Sequence, residues 1–231
     1  MNPVLVIAFW ATLFVGAHLV ISSDAIRPRL VNALGDQPYR GVYSLIVFAL
    51  FIPMLINFAH HRHAGAMLWN LRQFAPLRGV TSLLMLAAFI FLVGGFINQS
   101  PSSVTVGPAT DWQITGILKI TRHPFFVAFV LFALGHLLMN GWVGDIWFFG
   151  SFATLAILGG RHQDHRKVRE LGEPYRALLE QTSFFPGAAL MSGRQRWTSA
   201  DMPWSAIALG AAVTIVVLML HPLLFGGSPL G

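Results

Sequence analysis

Cysteine is absent from the 231 residues, which removes disulfides, thiolate metal ligands, iron–sulfur clusters and the CxxCH attachment of a c-type haem together. Charge is scarce as well. Asp, Glu, Lys and Arg make up 10% of the chain, too little to cover the surface of an ordinary soluble domain. Any metal or cofactor therefore falls to the nine histidines, to the two methionine-rich helices or to oxygen ligands. No basic leader or small-residue cleavage motif precedes the first apolar run, so Met1-Asn2-Pro3 is expected to open a retained membrane helix.

What is plentiful is apolar. With 55% hydrophobic residues and a mean hydropathy of +0.64, the chain reads as an all-α polytopic membrane bundle of about six spans forming one domain over residues 1–231. The uncharged runs put the spans near 4–24, 41–59, 79–97, 124–140, 143–160 and 203–225. Asn140 to Asp145 is a Gly-containing turn that joins the fourth and fifth spans as a hairpin. Pro124 stands at a helix start, where it loses no hydrogen bond, and Pro53 lies inside the second span.

The net charge of +6 is not a nucleic-acid signature, because the basic residues flank membrane spans. Lys and Arg concentrate in segments 25–40, 98–123 and 161–202. The positive-inside rule then places these in the cytoplasm and both termini outside. Residues 163–182 alternate Leu171, Tyr175, Leu178 and Leu179 with Arg and Glu at helical spacing, which predicts a cytoplasmic helix lying on the membrane surface.

Two histidines, His18 and His136, sit inside spans that offer no charged partner. An ionisable group at that depth is a functional candidate by default. Two imidazoles from different helices are one way for a bundle to hold haem iron, and an ordinary hydrogen bond to a carbonyl is the alternative. Helical rise puts them roughly 14 Å and 21 Å from the cytoplasmic boundary. Thr121-Arg122-His123-Pro124 places a cation and an imidazole at the mouth of the fourth span, suited to an anion or to a simple cap. His60-His61-Arg62-His63 lacks a nearby carboxylate and reads as an interfacial patch. His221-Pro222 reads as a helix terminator, and His162, Asp164 and His165 as solvated loop residues.

The ordered set Ala17-His18, Leu30 to Gly35, Arg40, His61-Arg62, Leu68-Trp69, Thr115-Gly116-Ile117, Ile120 to Pro124, His136, Leu171-Gly172-Glu173, Thr182 to Pro186 and His221-Pro222-Leu223 resembles the NnrU family of bacterial membrane proteins, relatives of 15-cis-zeta-carotene isomerase. That resemblance implies a b-type haem with His18 and His136 as axial ligands and catalytic residues, and Arg40, Arg122 and His123 among the cofactor-binding set. It also implies either isomerisation of a lipophilic polyene, fed by an electron donor, or a redox or nitric-oxide role linked to denitrification. The stretch Arg122-His123-Pro124 with Leu171 to Arg176 and Pro186 is similar to membrane S-adenosylmethionine methyltransferases of the isoprenylcysteine carboxyl type. It departs from them in having His162-Gln163-Asp164 in place of the paired glutamates usual after that hairpin.

Overall fold

A computed structural model describes residues 2–98, 100 and 112–227. Residues 99 and 101–111 of the 98–123 segment lie outside the described residues. Helix dominates because apolar segments in lipid must satisfy every backbone donor and acceptor within themselves. The ten helices among the described residues are α1 Pro3–Ile21, α2 Arg27–Leu34, α3 Asp36–His60, α4 Ala75–Ile97, α5 Ile117–Ile120, α6 Pro124–Met139, α7 Val143–Leu171, α8 Glu173–Gln181, α9 Ala188–Met191 and α10 Trp204–Phe225.

Five of the apolar segments are long enough to cross a bilayer, and α6 is the sixth apolar helix but is shorter. Its 16 residues rise about 24 Å, a few ångströms less than the hydrocarbon core. The expected spans match these helices within a few residues, with one exception. α7 continues through the expected loop to Leu171, so residues 163–182 are not one surface helix. Gly172, at φ +65, ends α7 in a conformation that favours glycine, and Pro174 stands in the first turn of α8.

Neighbour packing follows the order α3, α1, α7, α6, α4, α10. α1 runs parallel to α7: Ile7 lies against Gly144, Phe14 against Phe152, and Ser22 against His162. α6 runs antiparallel to α7, with His136 against Phe149 and His123 against Asp164. The core where α1, α3, α6 and α7 meet is Ile7, Ala11, Phe14, Met54, Ala133, Phe148 and Phe149. At the hairpin end, β1 Met67–Trp69 pairs antiparallel with β2 Gly141–Trp142, and the Trp69 indole donates to the Leu137 carbonyl at 2.8 Å. Strands of two and three residues are too short to leave a periodic signal in the sequence.

α4 and α10 meet through glycine. A Cβ at Gly210 would stand 2.7 Å from Ile90 Cα and 2.8 Å from its amide nitrogen, so the backbones touch where lipid supplies no hydrophobic drive and close packing must hold the helices. Gly210→Ala should therefore lower the melting point in detergent, by the equivalent of about 1–3 kcal/mol for overpacking. Gly150→Ala, where a Cβ meets nothing within 4 Å, should leave it almost unchanged. Equal melting of the two variants would contradict this close contact.

Candidate functional site

His18 and His136 are each fixed by their own helix. Nδ1 of His18 lies 2.8 Å from the Phe14 carbonyl, and Nδ1 of His136 lies 2.9 Å from the Phe132 carbonyl. A carbonyl only accepts, so Nδ1 carries the proton in both and Nε2 keeps its lone pair. This is the tautomer a haem-ligating histidine uses. The ring of His18 stands edge-on to Phe14 and Tyr43, at centroid distances of 4.5 and 5.7 Å. The ring of His136 stacks on Phe149 at 4.5 Å and tilts against Phe132 at 4.2 Å.

The structure does not bring the two imidazoles together. His136 lies level with Phe149 on α7. His18 falls midway between Phe14, which meets Phe152, and Ser22, which meets His162, and so lies near rung 157. Eight residues of helix separate those levels by roughly 12 Å, whereas two axial nitrogens on one iron lie roughly 4 Å apart. Each histidine taken singly fits an axial ligand, and the pair in this packing does not fit one iron. Aromatic rings fill the gap: His18, Phe14, Phe152, Phe132 and His136 follow one another at centroid spacings of 4.5, 6.2, 5.8 and 4.2 Å.

At the other end of α6 the predicted pair Arg122 and His123 meets a residue that sequence reasoning treated as solvated. Asp164 is 8% exposed. Its Oδ2 accepts from Arg122 Nη2 at 2.6 Å and Nε at 3.0 Å, and its Oδ1 from His123 Nε2 at 2.8 Å and the Tyr175 hydroxyl at 2.7 Å. A carboxylate accepts only, so His123 donates from Nε2 as a neutral ring while the guanidinium supplies the counter-charge. Around this knot Thr121 Oγ1 donates to the Phe184 carbonyl at 2.8 Å, and the Arg122 amide to the Ser183 carbonyl at 3.0 Å. Arg122 is thus committed to a carboxylate within the chain. The only sequence cue was a lone Asp between His162 and His165, a spacing with no periodicity to mark it as inward-facing.

Arg40 lies apart from both histidines' Nδ1 contacts, paired with Asp36 at 2.7 Å. In the His60–His63 patch, His63 Nδ1 reaches Asp145 at 2.8 Å. The carboxylate missing from the local sequence therefore comes from α7, fully buried at 0% exposure. His162 Nε2 meets the Ser22 carbonyl at 2.7 Å. No cluster of three or more His, Asp or Glu suited to a metal ion occurs among the described residues.

The fold and these sites define a polytopic helical membrane protein with two membrane-embedded histidines and a neutralised polar knot at one face. The family profile described as "NnrU protein" matches residues 5–229, and the chain belongs to the NnrU family. It is 27% identical over 206 residues to the chloroplastic 15-cis-zeta-carotene isomerase of Arabidopsis thaliana, and 27% identical over 204 residues to that of Zea mays. Each alignment covers 84% of this chain and 54% of the relative, so the chain spans about half the length of the curated relatives it matches. No solved structure matches it.

Burial holds the His123 imidazole below its ordinary pKa of 6.5, outweighing the pull of Asp164 toward protonation. Between that lowered value and 6.5 the unfolded chain binds a proton that the folded one refuses, so this contribution to stability is whole above pH 6.5 and declines below it. The melting point in detergent should fall as pH drops below 6.5, and His123→Gln should flatten part of that fall. Asp164→Asn, which leaves the half-buried Arg122 guanidinium without its carboxylate, should cost about 3 kcal/mol. An unchanged pH profile in His123→Gln, or wild-type melting in Asp164→Asn, would contradict the knot.

Proposed function

We propose that this protein is a membrane-embedded isomerase-type protein acting on a long lipophilic polyene that reaches it through the bilayer, and that His18 or His136 would hold a b-type haem. The observation that carries this reading is the ladder of rings running from His18 to His136 along the apolar interior. Flat aromatic faces offer a conjugated chain close dispersion contact without any polar group to desolvate. The curated relatives are named for isomerisation of a carotene, a substrate of this chemical kind.

Rotating a C=C bond requires lowering its π order, and a haem iron supplies electron transfer or metal contact for that purpose when bound. The chain's own part is to fix the imidazole tautomer through the Phe14 and Phe132 carbonyls, leaving an Nε2 lone pair, and to keep water from the site with the Phe148, Phe149 and Phe152 wall. The polar Asp164 end belongs on the cytoplasmic side of a bacterial inner membrane and both termini on the periplasmic side, in keeping with the distribution of Lys and Arg.

Because the two imidazoles stand on different rungs, hemin added to the detergent-purified protein should give a five-coordinate, high-spin b-type spectrum. Ala in place of one of the two histidines should abolish it, and Ala in place of the other should leave it intact. A six-coordinate spectrum lost equally in His18→Ala and His136→Ala would mean that the helices rearrange to share one iron. Protein that takes up no hemin and instead binds S-adenosylmethionine would replace this reading with a methyltransferase.

A further inference from the structure

Residues 184–204, outside the spans and away from both membrane histidines, carry large apolar side chains that nothing in the chain covers. Phe185 is 72% exposed and Met191 87%, and Trp197, Met202 and Trp204 are exposed as well. Arg194 and Arg196 stand exposed among them. Apolar side chains gathered on one segment in this way mark a surface that has a partner.

The level of the segment is fixed by polar bonds to the mouth of α6. The Gly187 amide donates to the Ile120 carbonyl at 2.8 Å, and Lys119 Nζ donates to the Arg196 carbonyl at 3.0 Å and to Asp201 Oδ2 at 2.8 Å. The rings of Phe184 and Phe126 both pack over Gly160, where α7 passes from apolar residues to the charged run that begins at Arg161. α6 enters its apolar stretch at Pro124, and α10 begins at Trp204. Three helices therefore change from polar to apolar at one level, and residues 184–204 are tied to it.

Hydrogen bonds, not its apolar side chains, hold much of this segment to the bundle. Arg194 Nη1 donates to the carbonyls of Glu180 and Thr182 at 3.0 and 2.9 Å, and the Thr198 amide and hydroxyl donate to Asp201 Oδ2 at 2.9 and 2.7 Å. Its backbone is irregular over 192–198. Such backbone does not face the hydrocarbon core, where no water meets its free donors and acceptors, but the hydrated headgroup layer accepts it.

We propose that residues 184–204 form an interfacial anchor, with Phe185, Met191 and Trp197 seated in the headgroup layer of the bilayer that the bundle crosses. Met202 and Trp204 continue this surface onto α10, a membrane span whose Leu209 and Ile215 are exposed to lipid. An indole is apolar on its faces and polar at its N–H, which suits this layer, and Arg194 and Arg196 add positive charge at the depth of lipid phosphates. The anchor is fastened to the Asp164 knot, because the Ser183 and Phe184 carbonyls accept from the Arg122 amide and the Thr121 hydroxyl. It is independent of the polyene reading, since neither His18, His136 nor the ring ladder takes part in it.

The test uses the full chain in nanodiscs, with one introduced cysteine carrying the fluorophore NBD. A nitroxide on the lipid headgroup quenches a label at that depth, and a nitroxide far down the acyl chain quenches one near the bilayer centre. Labels at Met191→Cys and Phe185→Cys should lose fluorescence to the headgroup nitroxide and little to the deep one. Ile215→Cys should show the reverse order. Glu173→Cys, past the polar end of α7 and about 16 Å beyond Gly160, should lose none to either. A wild-type melting point shows that each labelled chain is folded, and either of the first two probes suffices should the other not fold. If both behave like the Glu173 label, the proposal fails: quenching by a water-soluble nitroxide would put the segment in water, and protection from every quencher would mean that protein covers it.

Discussion

The burial of one carboxylate sets much of this architecture. Asp164 is an acceptor-only charge withdrawn from water, tolerable because Arg122, His123 and Tyr175 all donate to it. Those three donors come from the entrance to α6 and from α8, so satisfying one charge fixes the register of α6 on α7 and folds α8 back beneath them. With His123 held at Asp164, thirteen residues of α6 carry His136 to the level of Phe149. The depth of a membrane histidine is thus decided by an ion pair at the far end of its helix.

The register of α1 has a different origin. Val4 packs against Gly65, Ile7 against Gly144 and Phe14 against Phe152, contacts of shape rather than charge, closed at the polar end by Asp24 with Arg169 and Arg27 with Glu170. Two independently set registers leave His18 and His136 on separate rungs, with a continuous path of aromatic rings between them. A shared iron would require one helix to slide along α7 by roughly two turns, breaking the Asp164 knot or the Asp24 and Glu170 pairs.

Much of the fold was legible in the sequence, since length and hydropathy mark a span without reference to its neighbours. Five expected spans match their helices closely, and His18 and His136 stood out because nothing charged shares their depth. Packing relationships were not legible. Helical rise measured from assumed boundaries put the two histidines 7 Å apart in depth, whereas contacts with α7 place them roughly 12 Å apart. Asp164 looked solvated because residues 161–171 are charged enough to pass for a loop, and only tertiary structure shows that α7 continues and turns this carboxylate inward. Asp145, distant in sequence from His63, was hidden for the same reason.

The absence of native cysteine makes the helix registers directly measurable. Val20 and Leu134 face outward at 53% and 46% exposure, each two residues from its histidine. Cysteine at both positions can carry a spin-label pair with no background labelling. Dipolar spectroscopy on that variant in nanodiscs should give one distance distribution consistent with eight rungs of offset along α7, unchanged when hemin is added. A distribution that contracts on adding hemin, bringing the two helices to a common level, would contradict the separate-rung account.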